Sequence, residues 1–304
     1  MIEHLGFFVI AGSTATGKSE FAVEVAERCG GEIVGADAFQ IYEGLQILTA
    51  QPSAALQARA PHHLVGSVPV RDSFDVAQYL QSAIRTIRDV ISRGRLPIVC
   101  GGTGLYLRAL LRGLADLPAA DLELRSTLEA RPLDELQRQL IELDPISACS
   151  VDLQNPRRVI RALEVCLISG KPFSSFRREW SQTADEKAAG VLLTRARSEL
   201  LQRISERTRA MFRSGVEDEV RTLAQIGPTA EKTIGYRQVR ALLAGEISRD
   251  ECIASIDLAT RQYAKRQATW FRRERSLACV NLSAADDRRR QIAAAAEQAK
   301  RLTG

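Results

Sequence analysis

Gly12-Ser13-Thr14-Ala15-Thr16-Gly17-Lys18-Ser19 fills every fixed position of the pattern G-x-x-x-x-G-K-[ST]. The pattern has meaning only at a strand–helix junction, and the flanking residues supply one. Phe7 to Ala11 is an apolar run that reads as a buried strand. From about Lys18, Phe21, Val25 and neighbouring alanines give a helix one apolar face, and Gly30 and Gly31 stop it. The glycines let the backbone curl so that several N–H groups point inward, and the helix adds its positive N-terminal end. Lys18 offers a cation to terminal phosphate oxygens, and the Ser19 hydroxyl offers a ligand to a Mg²⁺ ion bridging them. Ser13, Thr14, Ala15 and Thr16 complete the cradle. A diphosphate or a triphosphate fits this loop equally well.

Outward from the loop, residues 32–36 read as a second strand that ends at Asp37, and residues 37–64 read as irregular chain. Asp72 or Ser73 is the expected cap of a helix carrying Val76, Leu80, Ala83, Ile87 and Ile91, ended by Gly94. Residues 96–100 form a third strand, followed by Gly101-Gly102 and a helix from about Thr103. Strands alternating with helices give a parallel sheet with right-handed crossovers. From about Asp116 to Glu186 the pattern is helical, with Asn155-Pro156 opening one helix. Residues 191–194 return as a strand, helices follow at 198–226 and 250–275, and the tail reads as a loosely held helix. The expected fold is α/β: a P-loop NTPase-like parallel sheet flanked by helices, with an inserted all-helical lobe. The core takes residues 1–115 and 190–280, the lobe 116–189 and the tail 281–304.

Composition narrows the class. The chain has 304 residues, 45% hydrophobic and 26% charged, with a formal charge of +5. That excess permits a polyanionic partner without establishing one. Six scattered cysteines with no C-x-x-C pair and only three histidines exclude a zinc site and point to reduced thiols in a cytoplasmic protein. No leader is expected, and no apolar run reaches the roughly 18–20 residues of a membrane span.

A P-loop NTPase holds Mg²⁺ with an acid at the end of a core strand. Residues 96–100 run into Gly101-Gly102-Thr103 with no acid, and Asp37 is the acid at a strand's C-terminal end. Ligands gather at those ends in a parallel sheet. Asp37 is therefore a metal ligand, a base for a nearby nucleophile, or a turn residue.

Several blocks lie in fixed order: Asp37-Ala38-Phe39-Gln40-Ile41-Tyr42, Pro61-His62-His63-Leu64, and Gly101-Gly102-Thr103-Gly104-Leu105-Tyr106. Leu143-Asp144-Pro145, Asn155-Pro156-Arg157-Arg158 with Arg161, Gly235-Tyr236-Arg237-Gln238, and Arg261-Gln262 with Lys265-Arg266-Gln267 and Trp270 follow. In these blocks the chain resembles the bacterial tRNA dimethylallyltransferases over nearly its whole length. The resemblance implies transfer of a dimethylallyl group from dimethylallyl diphosphate to N6 of adenosine 37, beside the anticodon, in tRNAs reading codons that start with U. It implies that the loop holds the isoprenoid diphosphate with Mg²⁺, and that Asp37 is the base. Thr103 would contact the reacting centre, and Arg207, paired at i,i+4 with Arg203, would reach the diphosphate.

The resemblance further implies that Asp37, Ala38, Phe39, Gln40 and Thr103 contact the flipped base. Arg125, Arg157, Arg158 and Arg161 would hold the RNA backbone, with Lys232, Gly235, Tyr236 and Arg237 as a further contact. A monomer is expected. On helix 257–275, Arg261, Lys265 and Arg272 fall within about 40° of one another, a stripe suited to phosphate contact. Tyr263 and Trp270 fall on the opposite side and read as core, while Arg266, Arg273 and Arg275 add charge. His62-His63 reads as structural, with no acid partner in view. Ala38 stands where the pattern has serine, Phe39 where a polar residue is common, and Leu48 and Gln51 depart from G-T-A-K-P, which puts a lysine contact in doubt.

Three rival readings share the loop: a small-molecule kinase, an isopentenyltransferase acting on free AMP, and an RNA-binding protein without activity. A kinase needs an adenine platform and an arginine-rich lid, and has no use for the basic helical surfaces. The AMP enzymes lack the full helical insertion, and intact Lys18, Ser19, Asp37 and Thr103 argue against decay of the site.

Overall fold

The computed structural model describes residues 5–114, 116–176, 189–274, 276–283 and 287–302. Its centre is β1, Phe8–Gly12, with all five residues buried. It is flanked on both sides, which is why its sequence is a continuous apolar run without alternation. Phe8, Val9 and Ile10 are fully excluded from solvent, each stabilising the fold by about 1.5–3 kcal/mol.

The other strands are β2 (Gly31–Gly35), β3 (His62–His63), β4 (Leu96–Gly101), β5 (Gly190–Thr194) and β6 (Ala278–Asn281). All pairs are parallel, in the order β3-β2-β4-β1-β5-β6. β1 lies between β4, where Ile10 stands opposite Cys100, and β5, where Ile10 stands opposite Val191. The C-terminal ends of β1, β2 and β4 therefore bring the Gly12–Ser19 loop, Asp37 and Gly101–Thr103 to one edge of the sheet. The two short edge strands β3 and β6 were not expected; two and four residues are too few to carry a periodic signal. The stretch read as irregular also contains the helix Ala54–Gln57.

Helix boundaries follow their caps. Gly17, at φ 95°, opens Lys18–Cys29, and Gly30, at φ 64°, closes it. Val76–Ser92 is capped by Asp75 in a reciprocal box with Gln78, which corrects the expected Asp72 or Ser73. Ser248 and Glu251 make the same box for Arg249–Phe271.

The tail is not loosely held. In the helix Arg288–Lys300, Ile292, Ala295, Ala296 and Ala299 are buried in one cluster with Phe21, Ala22, Val25 and Ala26 of the phosphate-loop helix. Alanine permits that close approach of two helices, which is why a sequence poor in large apolar residues still docks.

The chain divides into two compact units, Met1–Leu111 with Asp185–Gly304, and Arg112–Ala184. In the second, the helices Leu122–Glu129, Leu133–Leu143 and Pro156–Ser169 share a core of Leu128, Leu136, Leu140, Val159, Ile160 and Leu163. Glu164 is fully buried there. It accepts hydrogen bonds from Arg125 (2.6 Å), Arg161 (2.7 Å) and the Asp121 amide (3.0 Å).

Candidate active site

The carbonyls of the phosphate loop are engaged by side chains. The Ala15 carbonyl accepts from Arg203 Nε at 2.9 Å and the Thr16 carbonyl from Arg195 Nε at 3.1 Å. The Ser13 carbonyl accepts from Thr16 Oγ1 and from Lys18 Nζ, each at 2.8 Å. Ala15 is held at φ 64°, a left-handed conformation that a non-glycine residue adopts at some cost. With the carbonyls engaged, the amides of Gly17, Lys18 and Ser19 at the helix start find no acceptor among the described residues, the arrangement an anion fills.

The loop floors a cleft of about 360 Å³. Lys18, Ser19, Arg203 and Arg207 lie on it with Asp37, Phe39 and Cys100, and Met211, Ile234, Ile256 and Tyr263 give it an apolar side. Burial holds the Lys18 ammonium below the usual lysine range; Cys100 and Asp37 pull it back up, and Arg207 pushes it further down. Arg207 is lowered by burial too, with Asp37 opposing and Arg203 reinforcing. Its Nε is buried and has no hydrogen-bond partner. Half-buried cations grouped on one cleft, one of them with an unpartnered buried donor, favour an anionic ligand.

Asp37 Oδ1 accepts from the amides of Phe39 (3.0 Å) and Gln40 (3.3 Å), so the acid does fix the turn after β2. That leaves Oδ2 for a ligand, and the turn role and a chemical role are compatible. Thr103 Oγ1 accepts from the Ala38 amide at 2.9 Å, and the Thr103 amide donates to the Ala36 carbonyl at 3.2 Å. At the end of β4, where a P-loop NTPase keeps its acid, stands Cys100, whose thiol burial pushes up to about 12. It is neutral at physiological pH.

Gln267, buried on Arg249–Phe271, ties the loops together. Its Oε1 accepts from the Thr14 amide, and its Nε2 donates to the Gly102 carbonyl, both at 2.8 Å. A Cβ at Gly102 would sit 2.5 Å from that Nε2, so glycine is what admits the carboxamide.

With this geometry in view, the similarities to known proteins are informative. The family model described as IPP transferase matches residues 40–274. The chain is 41% identical over 280 residues to a tRNA dimethylallyltransferase of Akkermansia muciniphila, covering 92% of this chain and 95% of that relative. It is 43% identical over 286 residues to one of Geobacter sulfurreducens, covering 91% and 92%. The chain belongs to the IPP transferase family. Among solved structures, the tRNA isopentenylpyrophosphate transferase of Bacillus halodurans superposes with a TM-score of 0.69 at 30% identity, covering 98% of each chain. A eukaryotic dimethylallyltransferase acting on tRNA reaches 0.78 at 25% identity, covering 92% of this chain and 74% of that one.

For this IPP transferase family member, other residues singled out in the sequence fall as follows. Gln40 Nε2 donates to the Thr49 (3.1 Å) and Ala50 (2.8 Å) carbonyls, so its amide holds a loop. Gln51, in place of the pattern's lysine, donates to the Gln40 (2.9 Å) and Tyr42 (2.8 Å) carbonyls. Leu48 is buried against the Gly235 backbone, and Tyr236 is buried beside it. Lys232 and Arg237 are exposed, the latter 3.4 Å from Glu231. Arg261 pairs with Asp257 at 2.6 Å and donates to Ser205 at 2.9 Å, while Lys265 is exposed. Arg157 and Arg158 are exposed; Arg125 and Arg161 are committed to Glu164. Arg275 lies outside the described residues.

Two readings change. Tyr263 is not core: it lines the cleft, its ring 6.1 Å from Phe39, because the side of the helix facing away from the basic stripe is the cleft wall. Trp270 does pack inward, edge-on to Phe271 at 5.1 Å. His63 has an acid partner after all: its Nε2 donates to Glu32 at 2.7 Å, and Arg93 also pairs with Glu32. His62 Nδ1 donates to the Ala60 carbonyl at 2.8 Å. Arg195 and Gln267 carried no individual sequence signal for their contacts to the loop, since both act across more than 170 residues.

Proposed function

We propose that this chain is a tRNA dimethylallyltransferase that moves the dimethylallyl group from dimethylallyl diphosphate to N6 of adenosine 37, in tRNAs reading codons that start with U. The observation that carries the reading is the pairing of Asp37 with a cluster of Lys18, Arg203 and Arg207 in one cleft, with a neutral thiol in place of the NTPase acid.

The chemistry needs a base at one end and a sink for negative charge at the other. The C1–O bond of the isoprenoid breaks as the N6–C1 bond forms, the N6 proton passes to Asp37, and diphosphate leaves. Lys18, Arg207 and the amides of Gly17, Lys18 and Ser19 take up the charge that develops on the leaving group. Arg203 joins them and also fixes the loop. Thr103 holds the Ala38 backbone next to the base, and Tyr263 with Ile256 and Met211 keeps water from the allylic carbon. An adenine in an unpaired loop costs less to extrude into such a cleft than one in a duplex.

The donor set suits magnesium, a hard cation that takes a few oxygens from protein and the rest from phosphate and water. Ser19 would hold it with the diphosphate, Asp37 lying on the same cleft, and the ion would neutralise leaving-group charge when bound. For the RNA, exposed Arg157 and Arg158 on the helical unit, and Lys232, Arg237 and Lys265 on the other, offer cations to phosphates. Among the described residues no helix is long and apolar enough to cross a membrane. We place the enzyme in the cytoplasm as a monomer.

Labelled dimethylallyl transfer to undermodified tRNA, with the modified position mapped, tests the reading. Label at the adenosine following the anticodon supports it. Protection against thermal unfolding by ATP and none by dimethylallyl diphosphate overturns it in favour of a kinase. Label on AMP and not on tRNA would assign the chemistry to a free nucleotide.

A further inference from the structure

We infer that Leu48 sets the chain length of the isoprenoid donor, closing the apolar side of the cleft to allylic diphosphates longer than dimethylallyl diphosphate. The inference rests on the proposed function, since it concerns the tail of the diphosphate which that reading assigns to the cleft.

Position 48 is one of the departures noted in the sequence: glycine in the G-T-A-K-P pattern, leucine here. The cleft has two characters. Its cations gather at the phosphate loop and on the helix Arg197–Arg213, as Lys18, Arg203 and Arg207. Its apolar surface is carried by Leu48, Met211, Ile234, Ile256 and Tyr263. A diphosphate goes to the cations, so its hydrocarbon tail is left to the apolar side. There leucine puts an isobutyl group where glycine has only a hydrogen. At about 360 Å³ the cleft is near the lower end of the roughly 300–1,000 Å³ of small-molecule sites, and it must also admit an adenine. The space that one side chain occupies therefore decides what else fits.

Leu48 cannot swing aside. It is 4% exposed and packs in one cluster with Met211, Ile256 and Val239. A Cβ at Gly235 would sit 2.8 Å from its Cδ1 and 3.4 Å from Ile256 Cδ1, so both methyls close on one point over the Gly235 backbone. The Leu48 backbone is pinned as well. Glu219 accepts from the Ile47 amide at 2.7 Å and from the Leu48 amide at 2.8 Å, one carboxylate oxygen to each. On the following residues, Gln40 Nε2 donates to the Thr49 and Ala50 carbonyls. A close-packed wall of this kind yields by fractions of an ångström rather than by the width of an isoprene unit.

The probes are inorganic pyrophosphate, dimethylallyl diphosphate and geranyl diphosphate, each with Mg²⁺. They are titrated by calorimetry into the parent chain, Leu48→Ala and the milder Leu48→Val, with folding checked by melting curves. In an open cleft the longer tail buries more apolar surface and binds tighter. In the parent chain, geranyl diphosphate is instead expected to bind more weakly than dimethylallyl diphosphate. Leu48→Ala should shift the ratio of the two affinities toward geranyl diphosphate by about tenfold or more, the scale of methylene discrimination in a fixed apolar pocket. Leu48→Val should shift it the same way by less. Pyrophosphate affinity should be unchanged in both, because neither substitution removes a cation or an amide. A parent chain that binds geranyl diphosphate as tightly as dimethylallyl diphosphate overturns the inference without recourse to a variant. So does either variant that folds and keeps the parent ratio. Transfer to tRNA is assayed in parallel. If the parent chain transfers label while the ratio fails to move, only the role of Leu48 falls. If it binds dimethylallyl diphosphate no better than pyrophosphate and labels no tRNA, the donor assignment falls and the inference with it.

Discussion

The Thr103 hydroxyl accepts a hydrogen bond from the Ala38 amide at 2.9 Å, tying the loop after β4 to the residue that follows the acid of β2. Where the family pattern has serine at 38, this chain has no hydroxyl, so Thr103 makes that contact with backbone alone. Thr103→Val, which keeps the shape, should lower kcat by about 10–100-fold and change the KM for dimethylallyl diphosphate less than threefold, roughly the value of one well-placed hydrogen bond in a reacting site. Steady-state kinetics at saturating tRNA would check this; an unchanged kcat removes Thr103 from the reacting centre.

Asp37→Asn separates the turn from the chemistry. The asparagine oxygen can still accept from the Phe39 and Gln40 amides, so the fold should hold, but it cannot take a proton. Single-turnover transfer should fall by about 10³-fold or more while pyrophosphate affinity stays within a few-fold. Retained transfer would return Asp37 to a turn residue only.

Burial depresses Lys18 below the 10.5 of an exposed lysine, and the sign of the pH effect follows. Below the folded value the ammonium is charged in both states, and the fold bears the full cost of holding it. As pH rises through the folded value toward 10.5, only the unfolded chain keeps the proton, and stability gains. Anion affinity moves the other way, weakening over the same window. Lys18→Met should raise Tm at pH 7 by about 1–2 °C, the shift that roughly 1 kcal/mol produces in a chain this long, and cost at least about tenfold in pyrophosphate affinity. A melting scan and calorimetry across pH 7–10 read both.

Glu32 carries the opposite sign. Burial alone would raise its carboxyl, but hydrogen bonds from Arg93 and His63 outweigh that and hold it below 4.5. Its contribution is present above 4.5 and is lost as pH falls through the lowered folded value. Glu32→Gln should lower Tm at pH 7 by a few degrees, about 1–2 kcal/mol with one partner exposed, and the gap to the parent should narrow at pH 3.

Arg125 and Arg157 look alike in sequence and differ in environment. Arg157→Ala should leave Tm unchanged, weaken tRNA binding about 3–10-fold and reduce the salt slope of binding by about one. Arg125→Ala leaves the buried Glu164 with Arg161 and one amide, and should destabilise the helical unit by about 1–3 kcal/mol. Filter binding at two salt concentrations, with melting curves, tells them apart.

What could be read from the sequence was what is local. The strand–loop–helix around Lys18 announces itself because the donors and their support lie within 20 residues, Asp37 and Thr103 came with contiguous blocks, and Arg207 came with its i,i+4 spacing from Arg203. The partnerships that brace the phosphate loop are distant in the chain: Arg195 to Thr16 and Gln267 to Thr14. Periodicity assigned Tyr263 to the core because an apolar wall of a cleft and an apolar core face have the same spacing on a helix. The docked tail was missed for a related reason, since alanine contributes little to an apolar pattern while still packing closely.

The helix Arg288–Lys300 also sets an order of events during synthesis. β1 emerges from the ribosome first, yet its sheet partners lie about 90 and 180 residues behind it, and the helix that covers Phe21 and Val25 comes later still. The segment bearing Lys18 must therefore wait, with its apolar face uncovered, while nearly the whole chain is made. The helical unit, with short-range contacts of its own, can fold in the meantime. A chain stalled or clipped before residue 288 would leave the apolar face of its phosphate-loop helix without the cover of Ile292, Ala295, Ala296 and Ala299.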